Sequence, residues 1–298
     1  MLTIATYNIQ YGVGLDERFD LDRIVSVIQD IDIVGLQEVD VSWDRSGNRD
    51  LITLLAEKMP HYYIAWQPNI DVIKMHGSQF AGPRAPRRQF GNMILSRFPI
   101  LAVRNHLLPR YGAATQLDMQ RGALEANIAT PGDPLRVYCT HLCHLSEDQR
   151  CAQLTQLLDI IERAPLEGPS LSGAHDRDLS WSREPTLPPV PAAAIVLGDF
   201  NCTPDGAAYA LLAGESSSRR GRMTRLGGFV DAWEVATQRH GGGNMHDGAT
   251  RFPEPGKGKR VDFCFVPMGF SNRVASARVL TDAVGSDHLP VIIEIDLN

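Results

Sequence analysis

Two polar side chains follow an apolar run near the middle of the chain. The run 194–197 is succeeded by Asp199 and Asn201. Side chains alternate between the two faces of a strand, so these two point the same way. Buried in a core without hydrogen-bond partners, these polar groups would destabilise the fold. Beside a cleft they could instead hold and activate a substrate. We therefore expect a cleft at this strand end.

Other apolar runs end in the same manner. Taken singly, each polar residue has a structural explanation, such as a solvated turn for Glu38 or a histidine satisfied beside the core for His141. Taken together, they predict one site at the ends of several strands, and Ser286 is interpreted as part of the turn that holds its two neighbours. The candidates are Asn8, Glu38, His141, Asp199, Asn201, Asp262, Asp287 and His288.

Short β-type runs and amphipathic helical patterns alternate along the chain. Strands are predicted over 2–9, 32–39, 62–68, 92–100, 122–130, 135–142, 192–200, 260–266, 273–280 and 290–297. Helices are predicted over 20–30, 49–59, 146–164 and 206–213, the third with Ser146 as its N-cap.

Many strands, few helices and mixed connections predict an α+β fold, a layered sandwich. We expect a single domain over residues 1–298. The Pro/Ser-rich stretch at about 165–191 is interpreted as a loop insertion rather than a linker, because the strands on both sides of it end in residues of the same predicted site. The segment 69–90 has no clear assignment.

Seven motifs carry a resemblance to a known family. In chain order they are TYNIQYG (6–12), GLQEVD (35–40), GNMILSRFPI (91–100), THL (140–142), GDFNCTPD (198–205), RVDFCFV (260–266) and GSDHLPV (285–291). The chain thus resembles the endonuclease/exonuclease/phosphatase, or DNase I-like, superfamily of metal-dependent phosphoesterases from end to end. The resemblance implies a four-layer αββα sandwich, with two mixed β-sheets packed face to face and the helices outside.

The resemblance also implies a divalent metal site. Glu38 would be the main ligand, Asn8 would lie nearby, and Asp287 would share this metal or hold a second one. Carboxylate and amide oxygens are hard ligands, which favour Mg²⁺ or Mn²⁺ over Zn²⁺. The expected cofactor is therefore Mg²⁺ or Mn²⁺, with the number of ions left open.

The same resemblance implies catalytic roles for five further residues. Asp199 would orient or deprotonate the attacking water, and Asn201 would hold that water or a phosphoryl oxygen. His288 would contact the phosphate as acid, base or stabiliser, with Asp262 orienting it. His141 would contact the phosphate or assist the leaving group. Asp199 is favoured as the general base over His288 or a metal-bound hydroxide.

Arginine suits phosphate because its guanidinium forms paired hydrogen bonds. Arg88, in GPRAPRRQF, is a candidate phosphate contact because it lies just before GNMILS, and Arg121, in DMQRGALE, is one because it resembles a position before a strand that other family members place beside the site. A second basic stretch, 216–228, contains Arg219, Arg220, Arg222 and Arg225 and is interpreted as a solvated loop.

Charge bears on the substrate. The net charge is −6, whereas proteins that grip duplex DNA commonly have a basic surface. This favours a phosphodiesterase or phosphatase acting on a small-molecule or lipid-headgroup ester. A nuclease acting on DNA or RNA is the alternative, and a catalytically inactive scaffold is disfavoured because every expected ligand is present.

Cellular context is inferred from what the sequence contains. The N-terminal residues MLTIATYNIQYG read as a strand rather than a signal peptide, and no apolar run has the roughly 20 residues that span a bilayer. Five cysteines do not suggest a disulfide framework. We expect a cytoplasmic enzyme with a phosphoester substrate, and the sequence leaves its oligomeric state open.

Overall fold

Two six-stranded mixed sheets form the centre of the computed structural model. The structure describes residues 1–297 except 77, 78, 81, 174–176, 178–189, 218, 220, 240–247 and 252–256. Most of the predicted insertion at 165–191, and Arg220, therefore lie outside the described residues.

The strands are β1 (Leu2–Asn8), β2 (Ile33–Val41), β3 (Tyr63–Ile73), β4 (Met75–His76), β5 (Gln79–Phe80), β6 (Arg87–Ser96), β7 (Ile100–Leu107), β8 (Gly122–Ile128), β9 (Leu135–His141), β10 (Ala194–Asp199), β11 (Glu215–Ser217), β12 (Gly221–Met223), β13 (Phe229–Asp231), β14 (Asp262–Pro267), β15 (Val274–Val279) and β16 (Val291–Ile295). The helices are α1 (Leu21–Ile28), α2 (Leu51–Lys58), α3 (Glu147–Glu167), α4 (Ala207–Ala213) and α5 (Ala232–Arg239).

Both large sheets are built around a central parallel pair. In the first sheet, ordered β15-β16-β1-β2-β6-β3, β1 and β2 are parallel and the other pairs are antiparallel. In the second sheet, ordered β13-β14-β10-β9-β8-β7, β9 and β10 are parallel and the rest antiparallel. Each parallel pair brings two strand ends to the same edge.

Apolar side chains arrange these sheets in layers. The inner faces meet in one core, to which the first sheet contributes Ile4 and Ile33 and the second contributes Val137 and Leu197. The outer face of the first sheet packs with residues of α1 and α2, and that of the second packs with residues of α3 and α4. This is the predicted α+β sandwich of two mixed sheets, with helices that are few and peripheral.

The structure changes several predicted boundaries. The predicted strand 92–100 is two strands, because β6 ends at Ser96 and β7 begins at Ile100 after a turn closed by Ser96, whose Oγ accepts from Phe98 N at 3.0 Å. Much of the unassigned segment 69–90 belongs to β3 and β6. Helix α3 begins after the predicted cap Ser146 but continues to Glu167, with Pro165 inside its final turns.

Strand β13 and helix α5 were not predicted from the sequence. Strand β13 has only three residues, and α5 lacks a strong stripe of large apolar residues, since it buries only Ala232 and Ala236. Among the described residues, no helix is both long and apolar enough to cross a membrane.

Candidate active site

The candidate residues gather where the core between the sheets ends. Asp199 follows Ile195 and Leu197 on the inner face of β10, and His141 follows Val137 and Cys139 on that of β9. Register pairs Asp199 with His141 and with Asp262 of β14. The polar residues thus continue the rows of core residues, which explains why buried strands end in carboxylate and imidazole groups.

Glu38 reaches this site through an irregularity in β2. Strict alternation would place it on the outer face with Leu36, which belongs to the outer core. The register between β2 and β6 shifts between Leu36 and Val39, and Glu38 has a left-handed φ of 61°. Such strain in a non-glycine residue is concentrated at functional sites. The bulge turns Glu38 inward, where its Oε1 accepts from Asn8 Nδ2 at 3.2 Å.

Asp199 is the hub of the second sheet's contribution. It is 1% exposed, and its Oδ1 accepts from the backbone N–H of Asn201 at 2.9 Å. Its Oδ2 accepts from Asn8 Nδ2 at 3.1 Å and lies 3.3 Å from His141 Nε2. Burial raises the pKa of Asp199, and the positive charge of nearby His288 opposes that rise. A carboxylate held this way is a better proton acceptor than a solvated one.

His288 and Asp262 form a buried pair beside Asp199. His288 Nδ1 lies 2.8 Å from Asp262 Oδ2, while Nε2 lies 3.7 Å from Asp199 Oδ2. Burial alone would lower the pKa of His288, but the charges of Asp262 and Asp199 raise it to about 10. At neutral pH the imidazole is therefore protonated, which suits an acid or a stabiliser of negative charge.

His141 has the opposite protonation preference. Burial, followed by the charge of Arg121, lowers the pKa of His141 well below its ordinary value. Its Nε2 faces Asp199, and its buried Nδ1 has no hydrogen-bond partner within the described part of the chain. The site thus holds one charged and one neutral imidazole on the same carboxylate.

Short contacts between loops lock the first sheet to the segment that carries His288. Ser286 Oγ donates to the carbonyl of Asn8 at 2.7 Å and accepts from His288 N at 3.2 Å, as expected for a residue that shapes this turn. Gln10 N donates to Asn8 Oδ1 at 3.1 Å. The amide nitrogen of Asn8, rather than its oxygen, therefore faces Glu38 and Asp199.

Asp287 and Asn201 lie at the more open side of the site. Asp287 N donates to Gln10 Oε1 at 3.2 Å, and its Oδ2 lies 3.5 Å from Arg251 Nη2. Asn201 also has a left-handed φ, of 50°, and its Nδ2 donates to the carbonyl of Leu142 at 3.1 Å.

The two candidate phosphate contacts differ in their surroundings. Arg121 is 2% exposed, acts electrostatically on Asp199 and Glu38, and has two nitrogens, Nε and Nη1, without a partner among the described residues. Arg88 instead pairs with Asp44 at 2.5 Å and lies over the Trp43 ring. The structure thus places Arg121 at the site, whereas Arg88 is engaged with Asp44 and Trp43.

Two sets of side chains could hold a metal ion. Asp199, Asp262 and His288 offer ligand atoms within 4.8 Å of one another. The same three groups are linked through His288, which contacts Asp262 and Asp199, so they also form a proton network. Burial raises the pKa of Glu38, and repulsion from Asp199 and Asp287 adds to the rise. A dication beside Glu38 would relieve that repulsion, so the oxygen donors present fit Mg²⁺ or Mn²⁺.

Comparison with known proteins decides the family. The family model of the Endonuclease/Exonuclease/phosphatase family matches residues 5–288. The chain belongs to this family. Its members are hydrolases acting on phosphoesters and generally depend on divalent metals.

Solved structures of the family share the fold at low identity. An endonuclease/exonuclease/phosphatase from Beutenbergia cavernae is 20% identical with a TM-score of 0.62, covering 100% of this chain and 72% of that one. A mannosyl-6-phosphatase from Bacteroides thetaiotaomicron is 19% identical with a TM-score of 0.62, covering 100% of both chains. A 3′ phosphatase from Neisseria, bound to product DNA hairpin, is 17% identical with a TM-score of 0.53, covering 99% of this chain and 100% of that one. No curated protein matched the chain.

Some residues near this family site were not singled out from the sequence. Thr250 Oγ1 accepts from Asp262 N at 3.2 Å, and Arg251 pairs with Asp287. Neither Thr250 nor Arg251 lies in a periodic apolar pattern from which its position could have been predicted. His144 contacts Arg121 at 3.1 Å, and its position three residues after His141, just beyond a strand end, was the signal available.

Proposed function

We propose that this protein is a Mg²⁺- or Mn²⁺-dependent phosphoesterase that hydrolyses a phosphodiester or phosphomonoester of a small-molecule or lipid-headgroup substrate. The observation that carries the proposal is the meeting of Asp199, His141 and protonated His288 beside Arg121, a buried cation with unpartnered N–H groups. Such N–H groups favour an anion, and the neighbouring acid–base groups suit attack on it.

In this proposal Glu38 and Asp287 would hold the metal, and Asn8 fixes Glu38 through its amide nitrogen. When bound, the cation supplies positive charge that offsets the negative charge of the phosphate and stabilises the charge that develops in the transition state. Asn201 and Arg121 orient the phosphoryl group, and Arg88 contributes to substrate binding farther out.

The proton transfers are assigned to Asp199, Asp262 and His141 of the second sheet and to His288, which precedes β16 of the first sheet. Asp199, with its raised pKa, accepts the proton of the attacking water. Asp262 holds His288 through Nδ1, so the Nε2 proton remains available to stabilise or protonate an oxygen of the substrate. His141, kept neutral by burial, contacts the phosphate or the leaving group.

Ion pairing on the surface supports a small substrate over duplex DNA. Several other basic side chains in the described part of the chain are paired with carboxylates, at Arg87–Asp71, Lys74–Asp44, Arg110–Asp118 and Arg251–Asp287. Paired cations release fewer counterions on binding a nucleic-acid backbone. Together with the net charge of −6, this favours a substrate recognised by one phosphate group.

A substrate panel tests the proposal. Bis-p-nitrophenyl phosphate, p-nitrophenyl phosphate, glycerophosphodiesters, sphingomyelin and supercoiled plasmid are each assayed with Mg²⁺, Mn²⁺ or EDTA, with the Asp199→Asn variant as control. We expect metal-dependent hydrolysis of a small ester by the wild type alone. Efficient plasmid nicking at physiological salt with little small-ester activity would instead support the nuclease. Absence of all metal-dependent hydrolysis would contradict the proposal.

A further inference from the structure

Arg121 raises a question about how its guanidinium is held. Its pKa is lowered by burial, and it forms no ion pair at salt-bridge distance among the described residues. One nitrogen is nonetheless engaged, because Nη2 lies 3.1 Å from His144 Nδ1. Nε and Nη1 remain without partners there. His144 thus fixes one corner of the guanidinium and leaves Nε and Nη1 for a ligand.

His144 is suited to accept this hydrogen bond. An arginine nitrogen can only donate, so Nδ1 of His144 must be the acceptor and the ring must be neutral with its proton on Nε2. Burial and then the charge of Arg121 lower the pKa of His144, which is consistent with a neutral ring. The other charges acting on it are Asp118, Arg251 and Asp199.

His144 is not a residue of the hydrophobic core. His144 is partly exposed to solvent and lies directly after the buried segment His141–Cys143. In the described residues, the contact with Arg121 is the hydrogen bond its side chain forms. Because the ring is partly open to solvent, its removal leaves no enclosed cavity, so a substitution should act on Arg121 rather than on the stability of the fold.

We propose that His144 is a positioning residue for anion binding, which orients Arg121 so that its unpartnered N–H groups receive the phosphate group of the substrate. This rests on the proposed function in that the anion is the reacting phosphate. His144 does not touch the reacting atoms; it acts by fixing the rotamer of Arg121 before the ligand arrives, which reduces the ordering cost of binding.

Binding of inorganic phosphate tests the inference without turnover. The dissociation constant is measured by calorimetry in the presence of Mn²⁺ for the wild type, His144→Ala, His144→Asn, Arg121→Ala and the double variant. Asn can place its Oδ1 near the position of Nδ1 and so retains an acceptor. His61→Ala is the matched control, since His61 is an exposed histidine remote in sequence from every site segment.

We expect His144→Ala to weaken phosphate binding about tenfold, as for loss of a hydrogen bond to a charged group. His144→Asn should stay within about threefold of the wild type. The double variant should bind no more weakly than Arg121→Ala, because the two residues act as one unit. With p-nitrophenyl phosphate, His144→Ala should raise KM by a similar factor while kcat changes little.

Three outcomes would overturn the inference: His144→Ala binding phosphate like His61→Ala, losses in the double variant that add, or wild-type protein that hydrolyses esters yet shows no phosphate binding dependent on Arg121. These differ from failure of the proposed function. If no ester is hydrolysed while phosphate binding follows the expected order, the proposed reaction is wrong and the role of His144 stands.

Discussion

The two sheets have the same arrangement of strands and different chemistry at their ends. In each, a parallel pair lies at the centre between antiparallel neighbours, so β1 and β2 correspond to β10 and β9. In the first sheet that edge carries Asn8 and Glu38, and in the second it carries Asp199 and His141. One architecture therefore presents two sets of groups that face each other across the core.

What differs is how each sheet's carboxylate is balanced. Glu38 accepts from an amide and is repelled by Asp199 and Asp287, so its charge calls for a cation. Asp199 instead lies between two imidazoles, one neutral and one protonated. In the proposed function, the strand end that carries Glu38 would hold the cation, whereas the strand end that carries Asp199, with an imidazole on each side, would transfer protons.

The largest expected effect is on the proton network. Asp199→Asn keeps the shape of the side chain but removes its ability to take a proton. We expect kcat to fall by about 10²–10⁴-fold, while the dissociation constant for Mn²⁺, measured by calorimetry, changes little. Asp30→Asn, at a side chain that is 86% exposed, is the control. A wild-type rate in Asp199→Asn would show that the proton acceptor lies elsewhere.

The protonated state of His288 predicts a pH dependence of stability. Its folded-state pKa, about 10, lies above the ordinary value of 6.5, so the stabilisation is complete below pH 6.5 and is lost as the pH rises towards 10. The free energy of unfolding should fall by at most about 1.4 kcal/mol per pH unit in that window.

Urea unfolding between pH 6 and 10, in EDTA, measures this loss for the wild type and His288→Gln. The variant lacks the titrating group, so its curve should be flatter and the two should converge as the pH rises. His61→Gln is expected to follow the wild type. Parallel curves for wild type and His288→Gln would mean that His288 is neutral throughout.

The cation half of the comparison is tested at Glu38. Glu38→Ala should raise the Mn²⁺ dissociation constant by about 100-fold, the upper end of the loss seen when even an outer partner of a metal is removed. Excess Mg²⁺ should partly restore activity in this variant, and should do nothing for Asp199→Asn. Glu57→Ala, on the exposed face of α2, is the control. Unchanged metal affinity in Glu38→Ala would place the cation at another group.

The sequence predicted the layered α+β fold from its alternating strand and helix patterns and from the family resemblance, and it predicted where polar residues collect from the way the strands end. Asn8, His141 and Asp199 follow core residues on the inward-facing side of their strands. The pattern of the sequence alone therefore indicated which end of the sheets would carry chemistry. Strict alternation along β2 would point Glu38 to the outer face of the sheet, and only the bulge and its left-handed φ bring it inward. The motif marked the residue, whereas periodicity could not have placed it.

Features that depend on contacts remote in the chain were beyond the sequence. Arg88 and Arg121 looked alike as arginines near strands, yet one pairs with Asp44 and the other is buried beside Asp199. Partner choice of this kind is decided by tertiary packing, over separations that local patterns do not record. The same holds for α5, whose small buried alanines give little periodic signal.

The last expected effects concern two glycines at close approaches, one between neighbouring strands of the second sheet and one between the two sheets. A Cβ at Gly198, whose φ is 150°, would lie 1.8 Å from the carbonyl oxygen of Thr140 in the neighbouring strand. A Cβ at Gly35 would lie 1.9 Å from Leu197 Cδ1, a side-chain atom of the facing sheet. A backbone carbonyl held in a ladder cannot move aside as a leucine methyl can.

Gly198→Ala should therefore lower the free energy of unfolding by about 3 kcal/mol and Gly35→Ala by about 1–2 kcal/mol. Urea unfolding of both variants measures the order. Because Gly198 precedes Asp199, its substitution should also reduce kcat, whereas Gly35→Ala should act mainly on the spacing between the sheets and leave the Asp199 contacts in place. An equal loss of stability at the two positions would mean that the backbone of β9 and β10 yields as readily as the side chain of Leu197.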